Sequence, residues 1–244
     1  MTHGVKRLPL PAIVFSIGAA AALGIGAVRS LAAGGAESAG LSAMERPMPV
    51  PDDGYEDLIQ QHGDGRFHKG GWNHYGPGYF VLDPETGVLE SHGGMGLMWY
   101  SAREFSDFAL ELEFKTSKLE SNSGVFVRVP GFPTSNDYIF HSFEIQIYDA
   151  PEERIHQTGA VYDAEAATRL ASRPTGEWNH MRVTFVGDHI TVEVNGETVV
   201  DWDAEPRGKV ADFAASGFVG LQNHDHDSSV WFRNIRAKDL TAAP

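Results

Sequence analysis

Two short segments carry the side chains whose types and spacing best suit proton transfer. Residues 143–149 read FEIQIYD, and residues 220–224 read GLQNH. Because side chains alternate between the faces of a β-strand, Glu144 shares a face with Gln146 and Gln222 shares one with His224. If the apolar faces form the core, a carboxylate, two amides and an imidazole stand on the opposite side. Such a set can bind hydroxyl groups and move protons.

Three further side chains are candidates for contacts with the substrate. We expect Arg128 to share a face with Phe126, where its guanidinium can stabilise an oxyanion. The alternative for Arg128 is an ion pair, which with Glu144 would lower the pKa of that carboxyl group. Tyr162 and Trp99 can stack on sugar rings, and packing in the core is the alternative for both.

A divalent metal ion is one alternative for this site, and no other cofactor is predicted. The candidate ligands are Glu144, Asp149, His224 and Asp225. Asp149 is at odd spacing from Glu144, so it joins the site only where the strand bulges or ends. The residue types of the run HDHD at 224–227 suit metal binding, but the side chains of neighbouring residues in a strand point in opposite directions. A solvated loop is the alternative.

Short strands are the elements that must position these side chains. Residues 108–114 alternate between apolar and other residues, with Glu111 and Glu113 expected to face solvent. The Asn-Gly pair at 195–196 favours a two-residue type I′ hairpin. A single short helix is predicted, at about 164–170. The pattern predicts an all-β fold, a two-sheet antiparallel sandwich of the concanavalin-like jelly-roll type.

The chain has 244 residues, no cysteine and a net charge of −14. The absence of cysteine excludes disulfides and a thiol nucleophile. Nucleic acid is an unsuitable partner, because affinity for a phosphate backbone comes mainly from Lys and Arg. We divide the chain into a leader (1–36), a linker (37–53), one domain (54–240) and a tail (241–244).

The leader begins with Lys6 and Arg7, continues with an apolar stretch and ends in small residues. This organisation is typical of a secretory signal peptide. We therefore expect an exported protein, periplasmic or extracellular, with no stable membrane insertion once the leader is cleaved. An uncleaved N-terminal membrane anchor is the alternative, since the apolar stretch approaches spanning length.

Eight short motifs occur in an order that resembles the 3-keto-disaccharide hydrolase domain family. They extend over about 54–240, and the family has a concanavalin-like jelly roll. The motifs lie at 87–89, 105–108, 122–128, 143–147, 158–162, 176–179, 194–196 and 220–224 with 232–235.

The resemblance implies cleavage of glycosides already oxidised to a ketone at C3. The carbonyl acidifies the C2 hydrogen, a base removes it, the enolate expels the C1 substituent, and water completes net hydrolysis. We expect Glu144 and His224 to divide the proton transfers, without an assignment of base and acid. The expected substrate-binding residues are Arg128, Gln146, Gln222, Tyr162 and Trp99. An upstream sugar oxidoreductase that supplies the ketone is the implied metabolic partner.

Two other functions fit the same type of fold. One is a conventional laminarinase-like glycoside hydrolase, because E-x-Q-x-x-D at 144–149 faintly resembles the E-x-D-x-x-E strand of those enzymes. That chemistry requires two carboxylates about 5–5.5 Å apart for retention. The other is a carbohydrate-binding module without catalysis, for which exposed aromatic residues without a convergent base would be expected.

Overall fold

Short antiparallel strands make up most of the described chain. The computed structural model describes residues 53–241. The predicted leader, and the linker except for its last residue, lie outside the described residues, so export stays a prediction. Within residues 53–241, no helix has the length and apolarity needed to cross a membrane.

The strands are numbered here in chain order. They are β1 (Glu56–Asp57), β2 (Gln60–Gln61), β3 (Phe67–His68), β4 (Trp72–Tyr75), β5 (Tyr79–Leu82), β6 (Leu89–His92), β7 (Gly96–Phe105), β8 (Phe108–Thr116), β9 (Ser123–Val129), β10 (Phe143–Ile147), β11 (Asn179–Val186), β12 (His189–Val194), β13 (Glu197–Asp203), β14 (Gly217–Asn223) and β15 (Val230–Asp239). Two 3-10 helices occupy Asn136–Phe140 and Arg154–His156.

Two sheets pack face to face, which confirms the predicted antiparallel sandwich. The large sheet has the order β13-β12-β11-β8-β15-β6-β5, with β1 also paired to β15. The small sheet has the order β10-β9-β14-β7-β4, and β2 and β3 form a separate two-stranded pair. Their facing side chains form one buried apolar core, in which Ile145 of the small sheet and Phe114 of the large sheet are both fully buried. This core fixes which side chains of the small sheet point outward.

The hairpin between β12 and β13 has the predicted turn. Asn195 has φ 53° and Gly196 has φ 82°, so both central residues occupy the positive-φ region that a type I′ turn requires.

The prediction of a helix at about 164–170 is wrong, because the structure has no helix there. Thr168 donates its backbone N–H to the carbonyl of Val199, and Ala167 donates to that of Arg154. These bonds to distant segments replace the i→i−4 bonds of a helix.

The expectation that Glu111 faces solvent is also wrong. Glu111 lies on the outer face of the large sheet, but its side chain is only 2% exposed. Arg236 Nη2 lies 2.7 Å from its Oε2, and Arg182 Nε donates to its Oε1 at 2.6 Å. The two cations cover the carboxylate and, although burial opposes ionisation, hold the pKa of Glu111 below its ordinary value.

Candidate functional site

A cavity of about 170 Å³ opens on the outer face of the small sheet, and we call it the Glu144 pocket. This volume is smaller than the roughly 300–1,000 Å³ typical of drug-sized ligand sites. It suits a single sugar ring. It is lined by Met95, Asn122, Ile139, Glu144, Gln146, Tyr162, Lys209, Gln222 and His224. The two segments singled out in the sequence therefore meet in one place.

Strand register explains why these side chains converge. Gln146 of β10 pairs with Gly124 of β9, and Leu221 of β14 pairs with Val125 of the same strand. Gln222 therefore lies in the same cross-strand row as Gln146, with Gly124 between them, and all three face outward. The glycine leaves room in the middle of the row. Glu144 uses that room, because a Cβ atom on Gly124 would meet Glu144 Oε1 at 2.6 Å.

The carboxyl group of Glu144 is almost removed from solvent, with 7% of the residue exposed. Burial raises its pKa to about 8, although a hydrogen bond from Gln222 and the charge of Lys209 act in the opposite direction. At neutral pH the group is therefore mainly protonated and can donate a proton.

His224 follows the last residue of β14 and is held by the next residue in the chain. Its Nδ1 lies 2.9 Å from Asp225 Oδ2, which also accepts a hydrogen bond from Ser228 Oγ at 2.9 Å. Although burial raises the pKa of Asp225, its hydrogen bonds with His224 and Ser228 bring the pKa below the ordinary value. An ionised Asp225 selects the Nδ1–H tautomer, which leaves the Nε2 lone pair as a base.

Tyr162 reaches the pocket through an extra chain segment along the edge of β10. Tyr162 donates its backbone N–H to the carbonyl of Glu144 at 2.8 Å, and Gln146 donates to that of Ala160 at 2.9 Å. Burial raises the pKa of the Tyr162 phenol, and the charge of Glu144 adds to the effect. The phenol therefore stays protonated and available as a hydrogen-bond donor.

Three amide side chains in the pocket have unused acceptors. Within residues 53–241, Asn122 Oδ1, Gln146 Oε1 and Gln222 Oε1 are buried and accept no hydrogen bond. Buried polar atoms normally have partners, so three such oxygens around one cavity indicate a polar ligand. A polyhydroxylated ring supplies the hydroxyl donors that they need.

The structure does not bring Arg128 to the pocket, so its predicted contact with the substrate is wrong. Between paired positions, β9 has two residues, Val127 and Arg128, where β14 has only Val219. At this bulge Arg128 adopts φ 55° and turns away from the face of Phe126. Its guanidinium is buried over the ring of Phe185, with Cζ 3.8 Å from the ring centroid.

Trp99 lies on the outer face of the small sheet but does not line the pocket. It is 6% exposed and packs in a second apolar cluster with Phe126, Tyr138 and Phe218. Core packing, the alternative interpretation, therefore applies to Trp99. Ile139 packs against this cluster and also lines the pocket, so the cluster supports one side of the pocket.

The four candidate metal ligands do not converge. Asp149 accepts a hydrogen bond from Thr158 Oγ1 at 2.5 Å and does not line the pocket, and Asp225 lies behind His224. In the described part of the chain, no group of three or more His, Asp or Glu side chains is arranged to hold a metal ion. The predicted metal ligand set is therefore not formed by these residues.

Lys209 is the main site residue that the sequence did not indicate. It lies in the loop between β13 and β14, near the ring of Phe140 at 5.1 Å, and lines the pocket. It is the one cation in the pocket lining among the described residues. Neither periodicity nor a motif distinguishes a lysine in such a loop, so no sequence signal was available.

Comparisons with known proteins find relatives that are named for the cleavage of sugars. A curated 3-keto-disaccharide hydrolase of Bacteroides thetaiotaomicron is 27% identical, over 79% of this chain and 81% of that protein. A crystal structure of a candidate glycosyl hydrolase from Parabacteroides distasonis is 30% identical, with TM-score 0.64, over 76% of this chain and 99% of that one.

The fold has wider relatives. A galectin-like protein of unknown function from Bacillus subtilis is 9% identical, with TM-score 0.51, over 69% of this chain and 89% of that one. This likeness concerns the fold alone and agrees with the predicted jelly roll. The family described as the 3-keto-alpha-glucoside-1,2-lyase-like domain matches residues 59–238. The chain belongs to this family, whose members and relatives are named for the cleavage of glycosides.

Proposed function

We propose that the protein cleaves 3-keto-glycosides by removal of the C2 proton and elimination of the C1 substituent, with hydration completing net hydrolysis. The observation that carries the proposal is the convergence of Glu144 and His224 on one small cavity with unpaired amide oxygens. The family and the relatives supply the substrate class, since their names refer to 3-keto sugars.

We assign the proton transfers from the surroundings of the two groups. The Nε2 of His224, with Nδ1 bound to Asp225, is the base that removes the C2 proton. Glu144, protonated near neutral pH because it is buried, is the acid that protonates the departing C1 oxygen. A buried carboxyl group whose pKa is raised by its surroundings is a recurrent general acid in acid–base catalysis.

The reaction balances with these groups and one water molecule. The C2–H bond breaks, its proton goes to His224, and its electron pair forms the enolate with the negative charge on the C3 oxygen. The enolate then re-forms the ketone and a C1–C2 double bond, and the C1–O bond pair leaves with the proton of Glu144. Glu144 takes a proton from water as the hydroxyl group adds to C1, and His224, after its proton has exchanged with solvent, gives a proton to C2. Both side chains thereby return to their first state.

The enolate requires positive charge or hydrogen-bond donors close to its oxygen. We assign this role to Lys209, which replaces Arg128 as the cation of the site. The phenol of Tyr162 and the amides of Gln146 and Gln222 bind the hydroxyl groups of the ring. No oxocarbenium ion forms in this route, so no second carboxylate is required.

The pocket is poorly suited to a conventional laminarinase-like reaction. Glu144 is the one carboxylate in the pocket lining among the described residues. The two positions at which a laminarinase-like strand carries its other carboxylates hold Gln146 and Asp149, and Asp149 lies outside the pocket. A retaining glycosidase requires a second carboxylate about 5–5.5 Å away.

The decisive experiment compares a 3-keto-glucoside with its unoxidised parent, using purified protein in D₂O. We expect turnover of the ketone alone, with deuterium at C2 of the released 3-keto sugar. Equal turnover of both compounds would support an ordinary glycosidase, and binding without turnover would support a carbohydrate-binding module. Cleavage of the ketone with retention of the C2 hydrogen would refute the elimination route.

Two further proposals concern the setting of the reaction. An oxidoreductase that oxidises a glycoside at C3 must supply the substrate, because the elimination cannot begin without the ketone. We also propose that residues 1–36 direct export. N-terminal sequencing of the protein recovered from the periplasm or medium tests this, and an intact leader in a membrane fraction would favour the anchor.

A further inference from the structure

A second cavity lies on the opposite side of the molecule, on the outer face of the large sheet. It has a volume of about 350 Å³, and Trp178 and Trp231 stand in its lining. We call it the two-tryptophan groove. It shares no lining residue with the Glu144 pocket, so its role is separate from the proposed reaction.

One cross-strand row contains five of the nine residues that line this groove. Trp231 of β15 pairs with Lys115 on one side and with Glu90 on the other, and Glu90 pairs with Val81. Trp178 immediately precedes β11, where the next residue pairs with the neighbour of Lys115. The row thus has five positions, four in strands and one just before β11, and extends about 19 Å at ~4.8 Å per strand spacing, which makes an elongated groove.

Lys115 is held between the two indole rings. Its Nζ lies 4.9 Å from the ring centroid of Trp178 and 4.9 Å from that of Trp231. Within residues 53–241 its ammonium has no carboxylate partner and makes no side-chain hydrogen bond. The lysine fixes the spacing of the rings by cation–π contacts and keeps its three N–H donors for a ligand.

The charges of the groove nearly balance. Arg233 stacks on Trp178, with Cζ 4.0 Å from the ring centroid, and donates to Glu113 Oε2 at 2.5 Å. The lining contains the cations Lys115 and Arg233 and the carboxylates of Asp83 and Glu90. With Glu113 included, two cations face three carboxylates, so the groove combines indole surface, donors and acceptors with only a small excess of negative charge.

This combination selects a ligand class. A strongly anionic or cationic chain would meet like charges in the groove. An apolar peptide would remove the carboxylates and the ammonium group of the groove from water without supplying partners for them. A neutral saccharide offers C–H faces for the indole rings and hydroxyl groups that both donate and accept. We propose that the two-tryptophan groove binds a neutral oligosaccharide or polysaccharide chain, at a site separate from the Glu144 pocket.

Affinity electrophoresis tests the proposal with the full protein in native gels that contain soluble starch, hydroxyethyl cellulose or polygalacturonate. We expect at least one neutral polymer to retard the protein. The double variant W178A/W231A should bind that polymer at least about tenfold more weakly. The double variant W178F/W231F should bind at an intermediate level, and Leu119→Ala, at an exposed position outside the groove, should bind normally.

Four outcomes would overturn the proposal: no retardation by either neutral polymer, retardation only by polygalacturonate, binding that survives W178A/W231A, or binding lost in Glu144→Gln. Far-ultraviolet circular dichroism and urea unfolding establish that the variants are folded. Turnover of a soluble 3-keto-disaccharide should be unchanged in W178A/W231A, so failure of the groove is distinguishable from failure of the proposed reaction.

Discussion

Gly124 lies beneath the carboxylate of Glu144, and any larger residue at position 124 would force that side chain to move. A Cβ atom at position 124 would meet Glu144 Oε1 at 2.6 Å, Cγ at 2.8 Å and Cδ at 3.1 Å. Gly124 does not have the positive φ that makes alanine strained elsewhere in the chain. The glycine therefore leaves space for the observed position of Glu144, and it is not needed for backbone freedom.

Gly124→Ala is expected to lower turnover of a 3-keto-glucoside about 100-fold while the protein stays folded. The added methyl group displaces the carboxyl group, and displacements near 1 Å can cost two orders of magnitude in rate. Steady-state kinetics with circular dichroism measure both effects. Gly63→Ala is the matched control, because a Cβ atom there meets nothing within 4 Å. Near-native turnover by Gly124→Ala would show that the position of Glu144 is unimportant.

Glu144→Gln should abolish turnover and change how stability depends on pH. The unfolded carboxyl group has its ordinary pKa of 4.5, whereas the folded group has a pKa of about 8. Between these values the unfolded state releases a proton that the folded state retains, so the free energy of unfolding falls as pH rises from about 5 to 8. The decrease is on the order of several kcal/mol, and the glutamine variant lacks it.

Urea unfolding of both proteins at pH 5, 6.5 and 8.5 measures this difference. The stability advantage of the wild type over Glu144→Gln should shrink, or reverse, between the first and last pH. Equal pH dependence in the two proteins would mean that Glu144 titrates normally and cannot serve as the acid at neutral pH.

The sequence predicted those parts of the fold that follow from local pattern. Alternation placed Glu144 and Gln146 on the outer face of β10, and the Asn-Gly pair at 195–196 predicted the turn after β12. Alternation failed at Arg128, because the bulge is defined by the pairing of β9 with β14, which is remote in sequence. A pattern within a single strand contains no information about a partner strand that adds or omits a residue.

The remaining site residues depend on tertiary contacts. Lys209 is in a loop without periodicity, and it reaches the pocket because the chain after β13 passes over the outer face of the small sheet. Glu111 follows the alternation expected of an outward-facing residue, yet Arg182 and Arg236 bury it. Burial of a charged side chain by its neighbours is visible only when those neighbours are in place.

His224→Ala should reduce turnover by roughly 10²–10⁴-fold, the usual contribution of a general base. Asp225→Asn should cause a smaller loss, because the imidazole remains but its Nδ1 is no longer held by a carboxylate. Rates between pH 5 and 9 measure both variants, and added imidazole should partly restore His224→Ala. If Asp225→Asn keeps the wild-type rate and pH profile, the carboxylate does not orient the base.

Lys209→Met and Arg128→Leu should separate the catalytic cation from the structural one. Lys209→Met removes the one cation that lines the pocket among described residues, so we expect a large fall in kcat with little change in urea stability. Arg128 Nη2 donates to the carbonyls of Ser106 at 3.1 Å and Gly187 at 2.5 Å, and its loss leaves both without that donor.

Arg128→Leu should therefore destabilise the fold by about 1–3 kcal/mol for each buried group that loses its partner, while the surviving folded protein keeps its kcat. Urea titrations and active-site-normalised kinetics on both variants give the comparison. A fall in kcat confined to Arg128→Leu would return the enolate-stabilising role to Arg128, and the assignment of Lys209 would then be wrong.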